Sequence, residues 1–211
     1  MADNLSNIFI DTAAGISTLV DEIIQEEPQP PTLYVDLEGT DLGRKASKVI
    51  YLISVHALGG LAFTTPGNDT PMTLKDILEP SSVTKVFFDV RNGSNALYTH
   101  FNVSLEGIVD VQLMENRARR STIKDRGEIL FKPQNGGAYE VFSKSPLRDD
   151  IKAYCVGDVQ YLPRLREIYD GKLSAPWKEK VSVKTQKRVL ESQQAGFDPE
   201  GDGKAFSPWG R

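Results

Sequence analysis

The stretch LYVDLEG, residues 33–39, sets two carboxylates, Asp36 and Glu38, at the end of an apolar run. Leu33, Tyr34 and Val35 read as a buried strand that begins after a proline-rich break and stops at Gly39. Strand side chains alternate between faces, so Asp36 and Glu38, two apart, point the same way. Like charges placed side by side repel each other and lose hydration, which calls for a compensating charge. A hard divalent cation such as Mg2+ takes carboxylate oxygens and would supply it. The competing reading has one acid facing solvent while the other caps a helix or pairs with Arg44 or Lys45. A second station lies in AYCVGDVQYL, where Tyr154 and Asp158, four apart, share one face of a helix. Taken alone, that pair is an ordinary phenol–carboxylate contact.

The elements that must hold these groups can be read in series. NIFIDTAAGISTLVDEIIQ reads as a short strand and then a helix opening near Thr12, with Ile16, Leu19, Val20, Ile23 and Ile24 at helical spacing. After the break EEPQPPT, strands are expected at 33–37, 48–57 and 60–64, the last two joined by a hairpin at ALGG. TLKDILEP reads as a short helix ended by Pro80, VTKVFFDV as an apolar strand, SNALYTHF as a helix, and GIVDVQLM as a strand running into a helix. Residues 148–173 read as one helical region, KEKVSVKTQKRVLESQQAG as a final helix, and FDPEGDGKAFSPWGR as a turn-rich tail. The tail's DPEGDGK lacks the spacing and closing Glu of a calcium loop. A strand meander followed by alternating strand and helix predicts an α/β domain on a mixed sheet flanked by helices.

A chain of 211 residues bounds this to one domain with extensions: a unit over 1–175, with 176–211 a helix and tail packed on it. The net charge of -4 gives no general pull toward nucleic acid, so any such contact needs a local basic patch. Two runs qualify. ENRARRSTIKDR carries Arg117, Arg119, Arg120, Lys124 and Arg126, and KEKVSVKTQKR carries Lys178, Lys180, Lys184, Lys187 and Arg188. Arg119, Arg120, Lys184 and Lys187 are the candidate phosphate contacts, against the alternative of solvated helix faces. The single Cys155 excludes an intrachain disulfide, suits a reducing compartment and reads as a small core residue. No apolar run of about 18 residues exists, and MADNLSNIFIDTAAG lacks the features of a secretory signal. A cytoplasmic or nuclear protein without a membrane partner is expected. His56 and His100 read as structural or exposed, and Trp177 and Trp209 as packing the last helix and tail onto the domain.

Three segments taken in order resemble the DEDDy group of 3'-5' exonucleases, in its RNase D and egalitarian-like branch. They are LYVDLEGTDLGRKASKVIYLISV, KVFFDVRNGSNALYTHFNVSLEGIVDVQL and YCVGDVQYLPRLREIY, and the resemblance spans roughly residues 10 to 175. It implies a ribonuclease H-like fold on a mixed sheet of about five or six strands. It also implies hydrolysis of single-stranded RNA or DNA from the 3' end by a two-metal-ion mechanism with Mg2+ or Mn2+. Under that resemblance Asp36 bridges both ions, Glu38 and Asp158 complete the first site, and Tyr154 aims the attacking water.

One position departs from the group. Against relatives that read roughly HDCRNDSxAL, the third acid falls on Gly93 of FFDVRNGSNAL. Glycine supplies neither charge nor side-chain oxygen, so a second ion is expected to bind more weakly. Asp89 and Asn95 are the nearest substitutes as metal ligands, with Asp89 alternatively capping the coming helix or pairing with Arg91. Asp110 matches an Asp common in the group and reads as a supporting or helix-capping residue. Two function classes follow: a metal-dependent exonuclease impaired by the missing acid, or a degenerate exonuclease fold serving as an adaptor for nucleic acid or a protein partner.

Overall fold

The computed structural model describes residues 6–38, 41–42, 49–115, 147–198 and 209. The chain opens with β1 (Ser6–Ile10), α1 (Ala13–Gln25), β2 (Thr32–Tyr34), β3 (Leu37–Glu38), β4 (Asp41–Leu42) and β5 (Val49–Ser54). Three short helices follow, α2 (Val55–Leu58), α3 (Leu61–Thr64) and α4 (Leu74–Leu78), then β6 (Thr84–Phe87), α5 (Val90–Phe101), β7 (Ile108–Asp110) and α6 (Val111–Glu115). The last elements are α7 (Asp149–Gln160), α8 (Leu162–Lys172) and α9 (Ala175–Ser192).

Among the described residues the strands form two sets, β1-β5-β4-β3 and β2-β6-β7. β1 runs parallel to β5, whereas β5–β4 and β4–β3 are antiparallel, and β2, β6 and β7 are all parallel. This is the expected α/β architecture of mixed strands flanked by helices. The strand read at 33–37 is divided between the two sets. Val35 donates its N–H to the Val86 carbonyl at 2.8 Å, continuing β2, and after Asp36 the chain enters β3 of the other set. Asp36 follows β2, Asp89 follows β6 and Asp110 closes β7, so three acids stand at the carboxyl ends of adjacent parallel strands. In open α/β sheets that is the end where ligands bind.

Helix α1 begins where Thr12 Oγ1 accepts the Gly15 N–H at 3.2 Å, and it buries Ile16, Leu19, Val20 and Ile23 as its periodicity predicts. α4 is opened by a reciprocal Thr73–Asp76 cap and stops before Pro80. Residues 55–64 overturn the expected strand and hairpin. Gly59, with φ 54°, is the left-handed residue that closes α2, and Gly60 opens α3. Leu58 and Ala62, four apart, are both buried, while the hydroxyls of Thr64 and Thr65 donate to the carbonyls of Gly60 and Leu61 at 3.1 and 2.7 Å. Those bonds settle Thr64, a β-branched residue that read as strand, in the last turn of α3 and Thr65 at its cap. The helical region at 148–173 is two helices, because Pro163 can only sit in the first turn of a new one. α5 starts at Val90, ahead of the expected SNALYTHF.

The main core gathers Ile10, Leu33, Ile53, Phe63 and Leu97 with the inner faces of α1 and α4. A second cluster joins Val86, Val111, Leu113 and Met114 to Val181 of α9, with Trp209 against it. Trp177 and Trp209 meet edge to face at 5.5 Å, and Trp209 Nε1 donates to the Leu113 carbonyl at 3.4 Å, which packs helix and tail position together. No helix among the described residues is long and apolar enough to cross a membrane.

β6 is covered on both faces: Lys85, Val86 and Phe87 are all buried, and Lys85 Nζ donates to the Pro80 carbonyl at 2.7 Å. Burial pushes the Lys85 ammonium down to about 8, against the upward pull of Glu106. Between that value and the ordinary one near 10.5, the unfolded chain holds more protons than the folded one. Stability therefore rises with pH across this window. Denaturant melts from about pH 8 to about pH 10 should show wild type gaining on the order of 2 kcal/mol relative to Lys85→Met. Parallel curves for the two proteins would remove Lys85 as the cause.

Candidate metal centre and the arginine network beside it

Asp36 is half-buried, with Oδ2 enclosed, and sits where the chain passes from β2 to β3. Glu38 lies in β3 opposite Asp41, and Asp158 lies in α7; the side chains of both are outside the described residues. Tyr154 is half-buried on α7, one helical turn from Asp158. α7 packs on β5, in the same strand set as β3, so the helix and the acidic strand share one sheet. Aspartate and glutamate oxygens are hard donors that suit Mg2+ or Mn2+, and three carboxylates with water are enough to hold one such ion.

Gly93 is buried in the second turn of α5. A Cβ there would lie 3.2 Å from Leu37 Cδ1 and 3.3 Å from Phe87 Cε1. Leu37 separates Asp36 from Glu38, so position 93 faces the acidic segment. Of the two substitutes, Asn95 donates its amide to the Ser192 carbonyl of α9 at 2.9 Å. Asp89 caps α5, and its carboxylate receives Arg91 Nε at 2.7 Å, Arg91 Nη2 at 2.6 Å and Gln112 Nε2 at 3.2 Å. Burial raises the Asp89 carboxyl, but the hydrogen bonds and charge of Arg91, with the charge of Arg188, outweigh it and hold the group below its ordinary value. A metal could claim Asp89 only by displacing Arg91.

Asp110 is fully buried and works as a backbone anchor. Its oxygens accept the N–H groups of Asp89 at 3.1 Å, Val90 at 3.4 Å and Gln112 at 3.1 Å, and Arg188 Nη1 at 2.7 Å. Arg188 therefore leaves the basic run to which its sequence position assigned it: only 3% exposed, it is an interior cation. A signal for this was present. Val181, Thr185, Arg188, Val189 and Ser192 form one helical stripe, and all five are buried, while Lys184 is half-buried at its edge and Lys187 lies off it. Lys187 is exposed and 3.5 Å from Glu191, Lys178 is 2.9 Å from Asp170, and Lys180 lies over the Trp177 ring at 4.6 Å. Arg119 and Arg120 lie outside the described residues.

A model of the 3'-5' exonuclease family matches residues 12–173. The chain belongs to the 3'-5' exonuclease family. The matched part of this exonuclease domain holds Asp36, Glu38, Gly93, Asp110, Tyr154 and Asp158 and stops before α9. Solved structures agree on a ribonuclease H-like fold. RNase D from Trypanosoma brucei is 21% identical over 98% of this chain and 78% of its own, with a TM-score of 0.69. RNase D from Escherichia coli is 16% identical over 90% of this chain and 51% of its own, at 0.64. NrnC from Brucella melitensis is 16% identical over 93% of this chain and 99% of its own, at 0.62. No curated protein sequence matches.

Proposed function

We propose that this domain is a metal-dependent exonuclease that removes mononucleotides from the 3' end of single-stranded nucleic acid, slowed by the glycine at position 93. The reading rests on the approach of position 93 to Leu37. An acid there would project onto the segment that carries Asp36 and Glu38, which is where a second ion needs a ligand. Asp36, Glu38 and Asp158 would hold Mg2+ or Mn2+, one ion firmly and a second weakly. A cation so held offsets phosphate charge and makes water more acidic. The Tyr154 hydroxyl hydrogen-bonds the attacking water and aims it at phosphorus. The water gives up one proton to solvent, its oxygen bonds to phosphorus as the bond to the 3' oxygen breaks, and that oxygen takes up a proton from solvent. The products are a nucleoside 5'-monophosphate and a strand one nucleotide shorter. B. melitensis NrnC with bound Mg2+ and T. brucei RNase D in complex with RNA U12 support a divalent cation and RNA as the first ligands to try.

The alternative, an adaptor that binds without cutting, is favoured by one observation. Asp89 and Asp110, the described carboxylates at the start of α5, are committed to Arg91 and Arg188 and do not replace the missing acid. An assay with 5'-labelled single-stranded RNA and DNA in Mn2+ separates the two. The exonuclease produces stepwise shortening from the 3' end that stops in EDTA, whereas the adaptor retains intact strands. In EDTA, changing Arg119, Arg120, Lys184 and Lys187 to Glu should weaken binding and flatten its salt dependence. An unchanged salt slope would remove these residues from the interface.

A further inference from the structure

Helix α9 lies beyond the residues matched by the exonuclease model, yet it grips α5 on both sides of position 93. Ahead of it, Arg188 holds Asp110, whose carboxylate gathers the N–H groups of Asp89 and Val90. Asp89 carries φ 65° and ψ 84°, a left-handed conformation that costs a non-glycine residue energy. Turning both N–H groups toward one buried carboxylate compensates that strain. Behind it, Asn95 donates to the Ser192 carbonyl at 2.9 Å, and Gln193 Nε2 donates to Ser94 Oγ at 3.4 Å. Gly93 thus sits between two fixed points, with its own face against Leu37.

We infer that α9 belongs to the working exonuclease domain and that Arg188 is a positioning residue, which sets the α5 turn and through it the spacing between position 93 and the Asp36–Glu38 segment. Arg188 touches neither substrate nor metal in this role. The buried ion pair is suited to it because a guanidinium paired with a fully enclosed carboxylate has one geometry, whereas apolar contacts tolerate sliding. The inference rests on the exonuclease reading, but the geometry it asserts exists without metal or substrate.

The test uses the full chain with Arg188→Met, Arg188→Lys and the double variant Asp110→Asn/Arg188→Met, all at a temperature where circular dichroism shows them folded. Arg188→Met should lose about tenfold or more in kcat on RNA with Mn2+ while KM for RNA stays within about twofold, and Arg188→Lys should recover part of the loss. Amide hydrogen exchange on the metal-free protein should accelerate about tenfold or more at residues 89–95 and stay unchanged in α1 and β5. If Arg188→Met does not fold, the double variant, which leaves no unpaired buried charge, carries both measurements, each read against Asp110→Asn alone. A folded variant with unchanged kcat, or with unchanged exchange at 89–95, overturns the inference, and so does failure of both variants to fold. A wild type that does not cut defeats the exonuclease reading alone, since the exchange measurement still decides what Arg188 does.

Discussion

Asp36→Asn is expected to abolish cleavage, a loss of about a thousandfold or more, while melting at a higher temperature than wild type in EDTA. The two effects have one cause. Asp36 is half-buried with an enclosed oxygen, and the proposed site gives it Glu38 and Asp158 as neighbours. Without metal, crowded carboxylates repel and lack full hydration, so neutralising one relieves the folded state. With metal, the same charge is the attraction that holds the ion, and asparagine cannot replace it. Adding Mn2+ should therefore raise the melting temperature of wild type and leave Asp36→Asn nearly unmoved, because a ligand stabilises only the state that binds it. Cleavage that persists in Asp36→Asn, or in EDTA, would falsify the metal-dependent reading.

The parts of this molecule that local pattern specifies were legible in its sequence. Helix α1 follows its cap at Thr12 and its apolar stripe, and β6 reads as a strand despite Lys85 because Val83, Val86, Phe87 and Phe88 surround it. The helix that carries Tyr154 and Asp158 is likewise local, whereas the strand read at 33–37 breaks at Asp36, where the chain passes from one strand set to the other. Residues 55–64 misread because glycine pairs and β-branched threonines are shared by hairpins and by helix ends, and only the burial of Leu58 and Ala62 decides between them. The Asp110–Arg188 pair spans 78 residues, and no local pattern relates its two halves. Arg188 was grouped with a basic run because Lys184 and Lys187 precede it, although its stripe on α9 is interior. Asp89 carried both readings in the sequence, and the structure has it capping α5 and paired with Arg91, at a left-handed turn whose N–H Asp110 accepts.

Gly93→Asp is expected to raise the cleavage rate by about 100-fold, since one lost ligand of a catalytic ion can cost a few kcal/mol at the transition state. Its location in α5 favours the substitution on backbone grounds. Asn-Gly often marks a left-handed turn, but here the pair is inside a helix, where glycine is the costlier residue and an acid near the N-terminus suits the helix dipole. The obstacle is packing, because the new Cβ would press on Leu37 Cδ1 at 3.2 Å and on the Phe87 ring at 3.3 Å. Leu37 is only partly buried and ends in a flexible methyl, so it can yield by the few tenths of an ångström required, whereas Phe87 is held in the core. Gly93→Asp with Leu37→Ala should thus equal or exceed Gly93→Asp alone. Gly93→Asn and Gly93→Ala provide the uncharged and steric controls, and neither should gain rate. Should Gly93→Asp fold, raise the Mn2+-dependent melting temperature and still not cut, the missing acid was not the defect and the adaptor reading is favoured. Should wild type already cut rapidly and Asp89→Ala abolish the activity, then metal must displace Arg91 from Asp89, and the second ion has found its ligand on the other side of the α5 turn.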